Sequence, residues 1–215
     1  MTTGAAPVFD AAFRDRLAEL IAWRRDVRRF RSDPIAPETV RRLLEIAVLS
    51  PSVGNSQPWR FVLVESPELR RAARENCLGA NAAAAASYEG ERAALYRSLK
   101  LEGMKEAPVH LVVFCDEETE LGCGLGRATM PETLAYSAVG AIATLWLAAR
   151  AEGIGVGWVS ILDPTRIHAL LDAPPAWRLI AYLCLGLPQE EHDDPELVRA
   201  GWQERVSLDM VLRIR

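Results

Sequence analysis

The chain has 215 residues, 50% hydrophobic and 25% charged; at about 150 residues per domain it holds one domain with appendages and a full core. Its 25 Lys and Arg stand against 29 Asp and Glu, a net charge of −4, which argues against a general nucleic-acid binder. Four scattered cysteines without a CxxC exclude a disulfide scaffold, and three histidines without HxxxH or HExxH speak against a metal site. Asp10, Arg14, Asp15 and Arg16 occupy the place of a signal-peptide core, and no apolar run reaches about 18 residues, so no membrane span is expected. A soluble protein of a reducing compartment, the cytoplasm, remains.

In chain order, residues 10–22 set Phe13, Leu17, Leu20 and Ile21 on one helical face. Ser32-Asp33-Pro34 breaks the pattern, and Pro37 opens a second helix that ends before Pro51. Phe61–Val64 reads as a strand, Ser66-Pro67-Glu68 as a helix start, and Glu89–Met104 as a charged helix. Val109–Cys115 is a buried strand and Asp116–Gly126 an acidic loop. A long helix runs from Pro131 to Ala151 and stops at Gly153 and Gly155. Two strands follow, Val156–Leu162 and Trp177–Leu185, around a helix near Pro164–Leu171; an acidic linker and a C-terminal arm close the chain. This is a single α+β domain over 1–215, a few-stranded sheet covered by helices, with 1–10 outside the ordered body. Ile142, Leu145 and Trp146, with the arm 188–215, offer surplus apolar surface, which points to a homodimer.

Three segments could carry chemistry. Five arginines fall within residues 24–31, around Asp26. A solvated helix end would explain them; a phosphate-bearing ligand is the sharper reading, because the guanidinium fork matches phosphate. Ser50-Pro51-Ser52-Val53-Gly54-Asn55-Ser56-Gln57-Pro58-Trp59 is either a plain surface loop or a polar rim for a heteroatom-rich ring. Gly153-Ile154-Gly155-Val156-Gly157-Trp158-Val159-Ser160 allows close helix–strand packing or a ligand plane against backbone. No GxGxxG and no P-loop is present, Ser160 has no triad partners in sequence, and Cys115, Cys123 and Cys184 read as small apolar residues.

Together, Arg24-Arg25-Asp26-Val27-Arg28, Ser50–Trp59 and Gly155–Ser160 resemble the nitroreductase-like flavoprotein superfamily over roughly residues 20–210. Asp26, Ser160 and Tyr96–Gly103 are most similar to its branch of aerobic 5,6-dimethylbenzimidazole synthases. Two departures concern the lid and arm: Ala128–Leu134 after Gly126-Arg127, and an early stop at Arg215.

The resemblance implies a mostly antiparallel sheet in an intertwined homodimer, the arm reaching the partner subunit. It implies an oxidoreductase of cobalamin biosynthesis that takes reduced FMN as substrate and dioxygen as co-substrate, with no metal. The products are 5,6-dimethylbenzimidazole and D-erythrose 4-phosphate, and a separate flavin reductase would supply the reduced FMN. FMN contacts fall on Arg24, Arg25, Asp26, Val27, Arg28, Ser52, Gly54, Gln57, Arg92, Leu101, Trp158, Val159, Ser160 and Arg205, with Asp26 and Ser160 as catalytic groups and Asp26 kept ionised by its arginines. An NAD(P)H-dependent nitroreductase, flavin reductase or dehalogenase is the rival on the same fold, and a non-catalytic flavin carrier the rival from another class.

Overall fold

A computed structural model describes residues 6–215, so residues 1–5 of the lead expected to lack order lie outside the described residues. Helix α1 (Ala11–Trp23) starts where Asp10 accepts the Phe13 N–H at 2.8 Å, and α2 (Pro37–Ala47) has proline at its first turn. Strand β1 (Trp59–Leu63) precedes α3 (Pro67–Ala85), which Ser66 caps through Leu69 N–H. Then come α4 (Gly90–Ser98), β2 (Val109–Asp116), α5 (Thr133–Ala151) and β3 (Gly155–Val159). Asp163 caps α6 (Pro164–Leu170); β4 (Trp177–Gly186) and two one-turn helices, α7 (Glu196–Arg199) and α8 (Leu208–Val211), complete the chain.

The strands form one antiparallel sheet in the order β1-β2-β4-β3. Side chains alternate across it. Val112, Phe114, Tyr182 and Cys184 point into the core beneath α3 and α6, whereas Leu111, Val113, Leu183 and Leu185 pack with Leu43 of α2 and Ile142 and Leu145 of α5. Both faces are therefore covered, which explains the apolar run of β2. Among the described residues α5 is the one helix long and apolar enough to cross a membrane, and it serves as a core helix of this domain.

Four expectations change. The helix expected over Glu89–Met104 ends at Ser98, because Arg28 Nη1 takes the Lys100 carbonyl at 3.1 Å and Gly103 presses on the Phe30 ring, where a Cβ would lie 2.5 Å from Cε2. The strand expected to Leu162 ends at Val159, since the Leu162 N–H turns back to the Ser160 carbonyl. Ile142 and Leu145 are fully buried within the chain; the apolar side chains left outside include Tyr136 and Val139 of α5 and Phe13, Leu17 and Ile21 of α1. Cys123 is exposed, at φ 48 in a glycine-flanked turn, while Cys115 and Cys184 are buried as expected.

Candidate active site

The arginine segment lies along the outer edge of the sheet. Asp26 bridges to Val156 of β3, and the Val27 N–H donates to the Val156 carbonyl at 3.0 Å. Glycine makes this possible: a Cβ on Gly157 would stand 2.2 Å from the Val27 carbonyl oxygen, and one on Gly155 2.7 Å from Val27 Cγ2. Two of the three sequence segments thus meet, and the glycines admit a backbone rather than a helix.

Asp26 is the knot between them. Its Oδ1 accepts the Trp158 N–H at 2.8 Å, two residues before Ser160, and its Oδ2 accepts Arg28 Nε at 2.8 Å. Burial pushes the Asp26 carboxyl above its ordinary range, against the pull of the Arg28 charge and the Trp158 N–H. Arg28, through its charge and its hydrogen bond, works against that shift and favours the ionised carboxylate, as expected of the arginines around it.

The five arginines divide. Arg28 points inward to Asp26 and the Lys100 carbonyl; Arg29 pairs with Glu196 at 2.6 Å and Arg31 with Asp33 at 2.9 Å. Arg24 lies over the Trp146 ring, 5.1 Å from its centroid, and Trp146 Nε1 donates to the Arg25 carbonyl at 3.1 Å. Arg25 reaches the Ala22 carbonyl, yet its Nε is buried without a partner. Burial, then Arg24, then Arg205, lower the Arg25 pKa. Arg24 and Arg205 thus add positive charge around Arg25, partly offset by Asp193 and Asp194, while Arg28 is bonded to Asp26 and the Lys100 carbonyl.

Ser160 is exposed just beyond β3, after half-buried Trp158 and buried Val159. The turn that carries it is clamped by a residue that the sequence analysis did not select. Buried Asn76 of α3 accepts the Asp163 N–H at 2.7 Å and donates to the Asp163 carbonyl at 3.0 Å. A carboxamide inside the apolar stripe of α3 was the available signal.

Leu101 sits in the loop that follows α4. Arg92 stacks on Trp202 with 3.7 Å from guanidinium to ring centroid, and Trp202 meets Tyr88 edge-on, so the arm is anchored on its own chain as far as Trp202. Residues 203–215 are exposed.

The Ser52–Gln57 loop is elsewhere. It enters β1, at the opposite edge of the sheet from β3 and the arginine segment. Ser52 Oγ accepts the Gln57 N–H at 3.0 Å, Ser137 Oγ accepts the Val53 N–H at 3.0 Å, and the face of Gly54 is filled by the Gly122–Leu125 turn, where a Cβ would meet the Leu125 carbonyl at 2.7 Å. Buried Ser56 keeps an unpartnered hydroxyl beside them. Within one chain the two halves of the expected site stay apart.

Residues 21–187 match the model of the nitroreductase family. The chain belongs to that family. A relative from Rhodospirillum rubrum named 5,6-dimethylbenzimidazole synthase is 60% identical over 205 residues, 95% of this chain and 96% of its own length. One of the same name from Rhodobacter capsulatus is 50% identical, covering 92% and 96%. The structure of an iodotyrosine deiodinase bound to FMN and 3-iodo-L-tyrosine superposes with a TM-score of 0.70 at 26% identity, covering 82% of this chain and 91% of that one.

Proposed function

We propose that this enzyme makes 5,6-dimethylbenzimidazole, the lower ligand of cobalamin, from reduced FMN and dioxygen, releasing D-erythrose 4-phosphate. The observation that carries the reading is the 60% identity to a synthase of that name over almost the whole chain. The site supports it: an FMN phosphate beside Arg24 and Arg205 gives the buried Arg25 Nε the partner it lacks. Reduced flavin and dioxygen supply the redox chemistry; the protein supplies position and protons.

Arg24 and Arg25 hold the phosphate. The Asp26–Arg28 pair fixes the arginine segment to β3, so that phosphate position and the Ser160 hydroxyl are set by one rigid unit. Asp26, with its raised pKa, is a stronger proton acceptor than an ordinary carboxylate, and Ser160 offers a hydroxyl at the ring edge. The Ser52–Gln57 loop comes from a second copy of the chain, making the active unit a homodimer. A separate flavin reductase delivers the reduced FMN. The four cysteines are free thiols, as suits the cytoplasm.

The test is to mix the protein with FMN and a flavin-reducing system in air and chromatograph the products. Dimethylbenzimidazole with erythrose 4-phosphate is expected; intact FMN alone overturns the reading. The likeness to a deiodinase favours, as the second reading, a reductase or dehalogenase, which would sustain NAD(P)H oxidation with nitro or halogenated aromatics.

A further inference from the structure

We propose that the cavity between α3 and the Leu99–Glu102 loop holds dioxygen and delivers it to the site, an inference that rests on the oxygen-dependent reading above. The cavity measures about 170 Å³, and its apolar walls are Cys77 and Leu78 of α3, Leu99 and Leu101 of the loop, and Ile161. Its position ties it to the site on two sides. Ile161 follows Ser160 directly, and Lys100, within the loop, gives its carbonyl to Arg28, the partner of Asp26.

Three polar residues also line the space, and each is engaged elsewhere. Asn81 Oδ1 accepts the Tyr96 hydroxyl at 2.7 Å, the Lys100 ammonium faces Glu106 at 3.3 Å, and Glu102 takes Arg74 at 3.3 Å as well as the Met104 N–H. Somewhat more than half of the wall a guest meets is apolar, and the polar remainder is already paired. Drug-sized ligands occupy roughly 300–1,000 Å³, so a nicotinamide nucleotide does not fit, whereas an apolar cavity of about 150 Å³ takes benzene or xenon. Dioxygen is small, uncharged and in need of no hydrogen bond, and the proposed reaction consumes it. Burial pushes the Cys77 thiol up to about 11, so the wall nearest α3 carries a neutral thiol rather than an oxidisable thiolate.

Xenon, an apolar atom that mimics dioxygen in cavities, is the probe. Crystals of the wild type pressurised with xenon should show it between Cys77, Leu101 and Ile161. Cys77→Phe and Leu78→Trp, which fill or cover the space, should lose the xenon. They should bind FMN as the wild type does, yet reoxidise reduced FMN about tenfold more slowly at a given dioxygen concentration, equivalent to about 1.4 kcal/mol of barrier. Absence of xenon from this cavity in the wild type overturns the proposal whether or not the variants fold. Reoxidation at the wild-type rate in a filled variant overturns it too. If xenon binds and the variants reoxidise slowly, but the wild type returns only intact FMN, the cavity stands as an oxygen route and the synthase reading falls alone.

Discussion

At the scale of residues, the arginine cluster is five side chains with different partners, and the differences make predictions. Arg25 has a buried Nε without a partner and a pKa lowered by burial and its cationic neighbours, so an anion should stabilise it most. Arg25→Ala should weaken FMN binding by about 1.5–3 kcal/mol, the range for hydrogen bonds to charged groups, and leave riboflavin binding unchanged. Flavin fluorescence titration with both ligands reads this, and equal losses for the two would send the phosphate elsewhere. Asp26→Asn and Ser160→Ala should still bind FMN and let air reoxidise it, while dimethylbenzimidazole output drops by about 10²-fold, the low end for a positioned acid–base group. Product and reoxidation measured on the same samples separate that result from simple loss of flavin. His110 bears on stability instead. Fully buried, it takes the Tyr182 hydroxyl at 2.8 Å, and burial lowers its pKa from 6.5 to about 4. Its folded pKa lies below its unfolded one, so the unfolded chain binds the proton first. Stability is complete above pH 6.5 and falls as pH drops towards 4, by about 3 kcal/mol at 1.36 kcal/mol per unit. Urea melts across that window should show the slope, and His110→Gln should flatten it.

At the scale of elements, local chemistry was legible and long-range closure was not. Pro37, Ser66-Pro67 and Asp163-Pro164 announce their helices because a cap is a contact within a few residues. The chain just past α4 is held by Arg28, 72 residues from the Lys100 carbonyl it binds, and no local pattern carries that. The same holds in the site. The sequence marks the arginines, the polar loop and the glycine strand by residue type, but their division of labour depends on Glu196, 167 residues from Arg29, and on the Asp26 bond to Trp158, 132 residues away. The Gly155-Val156-Gly157 strand shows the limit well: its glycines were visible, and the backbone that needs them was not. That backbone gives a prediction. Gly157→Ala would place a methyl group 2.2 Å from the Val27 carbonyl, an atom that cannot swing aside as a side-chain tip can. Overpacking of this kind costs about 1–3 kcal/mol, so the melting temperature should fall and FMN binding with it, as Arg25 and Asp26 leave β3. An alanine variant that melts and binds like the wild type would mean that the arginine segment is not held there.

At the scale of the whole molecule, the question is how the two halves of the site meet. The arginine segment lies outside β3 and the Ser52–Gln57 loop leads into β1, four strand spacings away across β3, β4 and β2, about 19 Å at roughly 4.8 Å per spacing. The loop cannot be swung over, because Ser137 and the Gly122–Leu125 turn pin it. A second copy can bring its own loop to the first copy's arginines. The surface for this exists: α1 has no buried residue, Tyr136 and Val139 face outward from α5, and Val206, Leu208, Met210 and Val211 are exposed in the tail. We expect an obligate dimer with an interface above about 2,000 Å², in the range of permanent homodimers. In an isologous dimer each site would then take its arginines from one chain and its loop from the other. Assayed at FMN concentrations that just saturate the wild type, Arg25→Ala and the Ser52→Ala/Gln57→Gly double variant should each lose most activity as homodimers. Mixed in equal amounts after unfolding and refolding, half the dimers are hybrids with one site free of both changes, so activity should return to about a quarter of the wild type in a symmetric two-site dimer. Were both halves supplied by one chain, every site in the mixture would carry a defect and no activity would return. Sedimentation of the mixture confirms that dimers have reformed, so a silent assay on reassembled dimers counts against the shared site.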